Sequence, residues 1–369
     1  MPQPLAPAEL LARRPQEPIL EAELPIVDPH HHLWDRRAAV ASAPPTHGFE
    51  ALLRLSPRYL LDELLADTGS GHRIVATVFV ECRAMYRADG PAEMKPVGET
   101  EFVNGVAAMA ASGLYGETLA CAGIVGHADL RQGEAVAELL QAHIAAGNGR
   151  FRGIRHSGSH DEDKTVLGPL ARMPAGLYGT KEFRAGFAQL ERHGLSFDAW
   201  VLAPQLPEVI ALAREFQGTT IVLDHVGTPL GIGRHAGTRD ERFAVWQQHI
   251  RELAAASPNV HVKLGGLAMP FCGFDGFMTD ESLSSERLAD LWRPYIETCI
   301  EAFGAERCMF ESNFPVDLGS CSYATLWNAF KRIAAGASAD DKRALFAGTA
   351  ARVYRLSIPA LEAAASPAR

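Results

Sequence analysis

The chain has 369 residues, of which 47% are hydrophobic and 21% charged, a composition typical of a folded globular protein rather than a disordered one. Its net charge of −9 and the lack of any Lys/Arg-rich run exclude a broad nucleic-acid or anionic-membrane surface, which would have to be positive. We find no secretory-type apolar segment at the N-terminus and no run of about 18 apolar residues, so we expect a cytoplasmic protein without membrane insertion.

Cysteine and histidine content limits the metal and redox chemistry that we expect. The 6 cysteines are scattered and form no CxxC pair, which is typical of reduced thiols in a cytosolic protein. The 14 histidines outnumber them by more than two to one. Any metal chemistry should therefore use imidazole and carboxylate ligands.

Short apolar, β-branched runs recur along the whole chain and predict strands. Continuous apolar runs of this length favour strands that are buried on both faces, as in a parallel sheet. The predicted strands lie, in chain order, within Leu24–Asp28, Arg73–Glu81, Leu119–Val125, Phe151–His156, Leu195–Trp200, Thr219–His225, Asn259–Leu264 and Arg307–Asn313.

The segments between these runs carry the apolar spacing of amphipathic helices. Strands that alternate with helices predict parallel βαβ units, and eight of them favour a single-domain α/β fold, a distorted (β/α)8 TIM barrel. A doubly wound open sheet is the alternative, but no strand ends in GxGxxG or GxxxxGK[ST]. The predicted helices lie within Gly133–Ala146, Gln205–Phe216, Glu241–Ala255, Glu286–Phe303 and Tyr323–Ala335.

The predicted domain organisation is one barrel over residues 24–357. Residues 1–23 are expected to form an N-terminal extension, and residues 358–369 a loose, Ala/Pro-rich C-terminal tail. Two inserts, Arg83–Leu114 and Pro229–Arg239, are expected to cap the mouth of the barrel.

Histidines follow the first predicted strand, in Asp28-Pro29-His30-His31-His32. Residues two apart in an extended chain point the same way, so His30 and His32 can face one metal ion while His31 faces elsewhere. The alternative is a turn of three histidines with local hydrogen bonds. Placement at the carboxyl end of a barrel strand, where such folds build their active sites, favours the metal ligands.

Two further histidines end predicted strands. His225 follows IVLD, where an unpartnered ring at the barrel rim would be costly, so we expect a ligand, a catalytic hydrogen bond or a carbonyl partner. Asp224 is expected to point away and to be structural. His156 ends RGIRH and is either a ligand or general base, or a histidine in a polar loop.

Charged residues at other strand ends are candidates for ligands and substrate anchors. Glu81 is expected either to bind metal, which would compensate its buried charge, or to pair with an arginine such as Arg83. Arg83 and Arg155 are candidate substrate anchors, and Lys263 is either a third anchor or a snorkelling surface lysine. Residues expected to line the pocket or support the site are His127, Asp129, Asp198 and Trp200.

The last predicted strand ends in Glu311, Ser312 and Asn313, with Asp317 further along. Asn313 cannot act as a carboxylate base, although its carbonyl oxygen can ligate a hard metal or orient a water.

The sequence resembles the amidohydrolase superfamily, and more narrowly its amidohydrolase-2 branch of TIM-barrel metal-dependent hydrolases, which includes lactonases. The resemblance implies metal ligands at His30, His32 and His225. In the wider superfamily an Asp on strand eight binds metal and takes the proton from water, whereas Asn313 stands in that place here. The matching stretches are IVDPHHHLWD, RGIRH, IVLDHVG, NVHVKLGGL and CMFESNFPVD, in the family's order within roughly residues 24–357.

Three functional hypotheses follow from the resemblance. The first is a hydrolase in which a divalent ion, zinc or manganese, activates water to open a lactone or amide of a small carboxylate-bearing substrate. The predicted catalytic residues are His156, Asn313 and Asp317, with His156, Glu81 or Asp317 replacing the missing base. The substrate carboxylate would be held by Arg83, Arg155 or Lys263.

The second hypothesis is an oxygenase with two iron ions, or iron and manganese, which hydroxylates a small organic acid. Its metals would lie in a cage formed by His30, His32, Glu81, His156, His225 and Asn313. The third is a non-catalytic metal-binding partner subunit. The family also includes dimers, so a homo-oligomer stays open.

Overall fold

Eight parallel strands lie side by side in chain order in the computed structural model, which describes residues 11, 14–42, 44–278 and 283–365. An antiparallel pair, β2 with β3, forms a separate two-stranded sheet. The strands are β1 (Ile26–His31), β2 (Trp34–Asp35), β3 (Arg58–Tyr59), β4 (Ile74–Val80), β5 (Leu119–Gly126), β6 (Phe151–Arg155), β7 (Ser196–Ala199), β8 (Ile221–Leu223), β9 (Val260–Leu264) and β10 (Cys308–Phe310).

The eight-stranded sheet nearly closes on itself. A parallel bridge joins His31 on β1 to Phe314 just after β10, and the His32 amide donates to the Phe314 carbonyl at 2.8 Å. The strands are buried on both faces, as in β4, where all of Ile74–Val80 is buried. The predicted single-domain (β/α)8 barrel is therefore confirmed, and each predicted strand overlaps an observed one.

Helices surround the barrel and connect successive strands. A π-helical turn, Ala344–Gly348, joins α12 to α13. The α-helices are α1 (Arg37–Val40), α2 (Gly48–Leu55), α3 (Leu61–Thr68), α4 (Val97–Ala111), α5 (Val136–Ala146), α6 (Lys164–Leu167), α7 (Lys181–Arg192), α8 (Leu206–Glu215), α9 (Arg239–Ala256), α10 (Ser285–Phe303), α11 (Tyr323–Ile333), α12 (Ala339–Arg343), α13 (Thr349–Val353) and α14 (Pro359–Ala365).

The prediction that Arg83–Leu114 caps the mouth of the barrel is wrong for the second half of this segment. Residues 97–111 form α4, the helix that connects β4 to β5, and this helix buries Val103 and Val106. Glycine, threonine and acidic residues interrupt its apolar stripe, which hid the helical period from the sequence pattern. Among the described residues, no helix combines the length and apolar composition that crossing a bilayer requires.

Both ends of the described chain pack on the barrel. Near the N-terminus, the Lys331 ammonium on α11 donates to the carbonyls of Leu20 and Glu21 at 2.8 and 2.9 Å. Near the C-terminus, Ile358 is buried and α14 follows it, so residues 358–365 are not the loose tail that we expected. The predicted boundaries of the barrel domain, at residues 24 and 357, stay a prediction.

A half-buried carboxyl on α3, that of Asp67, generates a pH-dependent stability. Burial raises the pKa of Asp67 to about 6, although the Tyr59 hydroxyl donates to it at 2.6 Å. An unfolded aspartate ionises near pH 4, so between about pH 4 and pH 6 the folded chain holds a proton that the unfolded chain has lost. The free energy of unfolding should therefore fall as the pH rises through this window, by about 1 to 3 kcal/mol. Urea denaturation at a series of pH values should show that Asp67→Asn reduces the fall, with the buried Asp28 and Asp198, whose pKa values burial also raises to about 6, accounting for the rest.

Asp62→Asn on the exposed side of the same helix is the matched control, because Asp62 pairs only with Arg58 at 3.2 Å. If Asp67→Asn kept the wild-type pH dependence, the assignment to Asp67 would be wrong.

Candidate active site

A pocket of about 500 Å³ opens at the carboxyl ends of the strands, where a barrel places its loops. Its floor is formed by residues at or just after the strand ends, and its wall is largely apolar. The floor residues are His32, Glu81, Arg155, His225 and Asn313, and the wall includes Trp34, Phe49, Leu53, Leu170, Trp200, Met269 and Phe271.

Three histidines and one aspartate meet at this floor, and we call them the histidine cluster: His30, His32, Asp224 and His225. One ligand atom from each of His30, Asp224 and His225 lies within 4.8 Å of the others. The ring centroid of His30 lies 5.0 Å from that of His32 and 4.6 Å from that of His225. The structure thus brings together three histidines that the sequence placed on two distant strands.

Glu311 fixes the orientation of two of these rings. Its Oε1 lies 2.7 Å from His225 Nδ1, and its Oε2 lies 2.7 Å from His30 Nδ1. Burial opposes ionisation of this carboxyl, but the facing imidazoles of His225 and His30 lower its pKa to about 2. At His225, donation from Nδ1 leaves the lone pair on Nε2, the arrangement that metal-binding or proton-accepting histidines need. His30 Nδ1 lies in addition 3.2 Å from the Lys263 ammonium.

His32 is oriented by the backbone instead. Its Nδ1 lies 2.8 Å from the Val80 carbonyl, which can only accept, so Nε2 again carries the lone pair. His31 faces away as expected, since its Nε2 lies 2.8 Å from the Thr77 hydroxyl. Burial lowers the pKa of His30 and His32, which keeps both rings neutral near pH 7.

Asp224 belongs to the site, contrary to our expectation that it points away. Its Oδ1 lies 3.6 Å from His30 Nδ1 and 3.0 Å from Lys263 Nζ. Strand β8 ends at Leu223, and the backbone of His225 and Val226 is left-handed, with φ of 57° and 48°. The side-chain alternation of a strand therefore stops before Asp224, and Asp224 and His225 both reach the same site.

Lys263 is neither a substrate anchor nor a surface lysine. It is fully buried, and its ammonium lies 2.6 Å from Asp198 Oδ2 and 3.0 Å from Asp224 Oδ1. Both neighbours are carboxylates of this chain, and the lysine does not line the pocket. Its role is therefore to neutralise buried acids beneath the histidine cluster.

Arg155 is the partner of Glu81, where we expected Arg83. Its Nε donates to Glu81 Oε1 at 3.0 Å, and its Nη1 lies 3.4 Å from Asp224 Oδ2 and 3.2 Å from His30 Nε2. Arg155 thus separates Glu81 from the histidine cluster. The other carboxylate oxygen of Glu81 has no hydrogen-bond partner among the described residues.

His156 lies outside the pocket, which corrects its prediction as a ligand or base. Its Nδ1 accepts the Leu130 amide at 3.2 Å, and its ring packs 5.6 Å from that of Phe183. Adjacent residues of a strand point to opposite faces, so with Arg155 turned inward His156 turns toward the helix layer. The six-residue cage predicted for two metals is therefore not assembled by the described structure.

Asn313 lines the pocket with Asp317 behind it. The Asn313 amide nitrogen donates to Asp317 Oδ1 at 2.8 Å. Asp317 is fully buried, and burial raises its pKa well above the usual range, which does not suit the base that we predicted. Its position makes it a support for the Asn313 amide.

The charges around the histidine cluster fit a divalent cation. Four carboxylates, those of Glu81, Asp198, Asp224 and Glu311, face the cations of Arg155 and Lys263. Burial raises the pKa of Asp198 to about 6, which still leaves it ionised at pH 7. Counted over these carboxylates, Arg155 and Lys263, the excess is two negative charges, and imidazole with carboxylate is a donor set that zinc and manganese accept.

Comparisons with known proteins identify the family of the chain. The model of the amidohydrolase family matches residues 27–356. The chain is 30% identical over 336 residues to an L-fucono-1,5-lactonase of Burkholderia multivorans, covering 90% of this chain and 97% of that protein. It is 34% identical over 343 residues to an uncharacterized protein, y4mH, of Sinorhizobium fredii, covering 91% and 100%.

Solved structures show the same barrel. An amidohydrolase from Burkholderia multivorans with bound zinc superposes with a TM-score of 0.66 at 29% identity, over 90% of this chain and 99% of that one. A putative 2-pyrone-4,6-dicarboxylic acid hydrolase from Pseudomonas putida has a TM-score of 0.56 at 19% identity, over 90% and 98%, and supports the fold alone.

Replacing Lys263 by methionine tests its structural role. Removing one member of a buried ion pair leaves carboxylates uncompensated, so Lys263→Met should lower the free energy of unfolding by about 3 to 5 kcal/mol, measured in urea. Arg87→Met is the matched control, since Arg87 forms a solvent-exposed ion pair with Glu101 and should change little. A Lys263→Met protein of wild-type stability would contradict the structural assignment.

Proposed function

The chain belongs to the amidohydrolase family, and on that basis we propose a metal-dependent hydrolase that opens the lactone or amide of a small carboxylate-bearing substrate. The family and the lactonase-named relatives identify a hydrolase. The observation that carries the metal-dependent mechanism is the histidine cluster, with its surplus of negative charge, at the floor of an open pocket. A lactone is favoured over an amide because a lactonase is similar along 97% of its length.

In this proposal His30, His32, His225 and Asp224 hold one divalent ion, zinc or manganese. Such an ion polarises a carbonyl and lowers the pKa of water from about 15.7 toward 7. Glu311 contributes by holding His30 and His225 with their Nδ1 atoms engaged. The zinc bound in the Burkholderia multivorans structure supports the choice of a divalent metal.

Glu81 is the residue that we assign to accept the proton of the attacking water. Of the three candidates from the sequence, His156 lies outside the pocket and Asp317 is buried behind Asn313. Burial raises the pKa of Glu81, but Arg155 more than offsets this and lowers it below the usual range, so the carboxylate is ionised at neutral pH. One of its oxygens is held by Arg155 and the other has no protein partner.

Asn313 positions water and does not take its proton. Since the amide nitrogen is engaged by Asp317, the amide oxygen is left to accept a hydrogen bond from a water or a substrate hydroxyl at the floor.

Metal analysis tests the proposed ligands. Protein purified without added metal should contain about one zinc or manganese per chain by mass spectrometry, and His225→Ala should retain less than about one tenth of it. His193→Ala is the matched control, since His193 lies at the end of α7 and bonds only a backbone carbonyl at 2.7 Å. Full occupancy in His225→Ala would refute the ligand assignment. Two iron ions per chain would overturn hydrolysis in favour of the oxygenase.

Replacing Glu81 tests the base. Glu81→Gln should lower kcat for lactone opening by about 10² to 10⁴ with unchanged metal content. The wild-type rate should rise as Glu81 deprotonates at low pH, and the variant should lose this limb. Glu50→Gln is the matched control, because Glu50 lines the same pocket and is bound to Thr46. Loss of metal in Glu81→Gln would instead make Glu81 a ligand.

A further inference from the structure

Three arginines lie together in the outer part of the pocket, and we call them the arginine rim: Arg36, Arg83 and Arg172. Arg36 is half-buried, whereas Arg83 and Arg172 are exposed. Among the described residues, no carboxylate forms an ion pair with any of the three at a nitrogen–oxygen distance of 4.0 Å or less. Several exposed arginines elsewhere are paired with carboxylates, as Arg131 is with Asp129 at 2.6 Å.

Backbone carbonyls hold two of these guanidinium groups in place. Arg36 Nη2 donates to the Cys82 carbonyl at 2.6 Å, and Arg172 Nε donates to the Pro169 carbonyl at 3.1 Å. These bonds orient the side chains without neutralising their charge. In a chain with a net charge of −9, three unpaired arginines at one pocket form a local positive field.

Arg172 lies near enough to Arg83 and Arg36 for their charges to act on it. Burial and the charges of Arg83 and Arg36 lower the pKa of Arg172 from its usual value. An anion bound between these arginines would offset the repulsion among their positive charges. A carboxylate is a suitable anion because its two oxygens match the planar guanidinium.

The floor cannot be the place where a substrate carboxylate binds. Arg155 is matched there by Glu81 and Asp224, and Lys263 is buried out of reach. The surplus of negative charge at the floor attracts a metal, and the described floor offers a free carboxylate no arginine or lysine that is not already paired. The pocket is therefore negative at its floor and positive at its rim.

The wall of the pocket that holds both charged regions is largely apolar. Trp34, Trp200 and Phe271 line the pocket, and Phe271 is fully buried. Such a wall favours burial of an apolar segment and offers few partners for the hydroxyl groups of a sugar.

We propose that the arginine rim is an anion subsite that binds a carboxylate remote from the bond that is cleaved. The substrate class is then an acid with an apolar or aromatic segment between its carboxylate and its lactone, and not a neutral sugar lactone. The orientation of the lactone toward the histidine cluster rests on the function proposed above. The proposal of an anion subsite does not depend on that function.

Two unreactive probes that differ only in charge test the subsite: 4-phenylbutanoate and its neutral amide, 4-phenylbutanamide. Calorimetric titration of the purified metal-containing protein should show the carboxylate binding about tenfold or more tightly than the amide. Arg172→Gln should bring this ratio to about threefold or less, and Arg36→Gln should do the same. Arg87→Gln, an exposed arginine outside the pocket, is the matched control and should keep the wild-type ratio.

Metal depletion separates this inference from the proposed function. The His225→Ala protein should keep the preference for the carboxylate probe although it loses metal and hydrolysis. If the preference vanished with the metal, the carboxylate would bind at the histidine cluster and the rim subsite would be refuted. A ratio that stays at the wild-type value in both Arg172→Gln and Arg36→Gln, with both variants folded by circular dichroism, would overturn it equally.

Discussion

The site depends on one buried carboxylate, that of Glu311. It follows β10, accepts from His225 just after β8 and lies 2.7 Å from His30 Nδ1 at the end of β1, so it ties together three strand ends that are far apart in sequence. A carboxylate excluded from water is stable only where its partners are charged or strongly polar. Glu311 meets this condition because two imidazoles lie against its oxygens, and its contact with His225 Nδ1 leaves Nε2 of that ring for the pocket.

The layer around Glu311 shows why the top of the barrel interior is polar whereas the rest is packed with apolar side chains. Asp224 and Asp198 are held by Lys263, and the Tyr354 hydroxyl donates to Asp198 at 2.7 Å. Each charge in this network has an opposite charge within hydrogen-bond distance, which lowers the cost of burying it. The network therefore supports the histidine cluster from below and leaves the pocket side for ligands.

The sequence pattern was sufficient for the fold because continuous apolar runs report burial on both faces of a strand. It also placed His30, His32 and His225 at strand ends, where a barrel brings distant residues together. It failed for Asp224 and His156, because alternation along a strand shows which residues share a face but not which face is inward. The left-handed backbone after β8 and the partners of buried charges depend on tertiary structure, which no local pattern contains.

The net charge is a property of the whole chain, whereas ligand binding depends on the charges inside the pocket. A net charge of −9 predicts that the chain has no broad nucleic-acid surface, yet it says nothing of the field inside a pocket of about 500 Å³. Because charges more than about 10 Å apart are screened in solution, the local arrangement decides what binds. Here the carboxylates gather at the floor and Arg36, Arg83 and Arg172 at the rim. A ligand with a polarisable carbonyl at one end and a carboxylate at the other is complementary to both regions in one orientation. In that orientation the carbonyl faces the metal proposed at the floor and the carboxylate faces the rim.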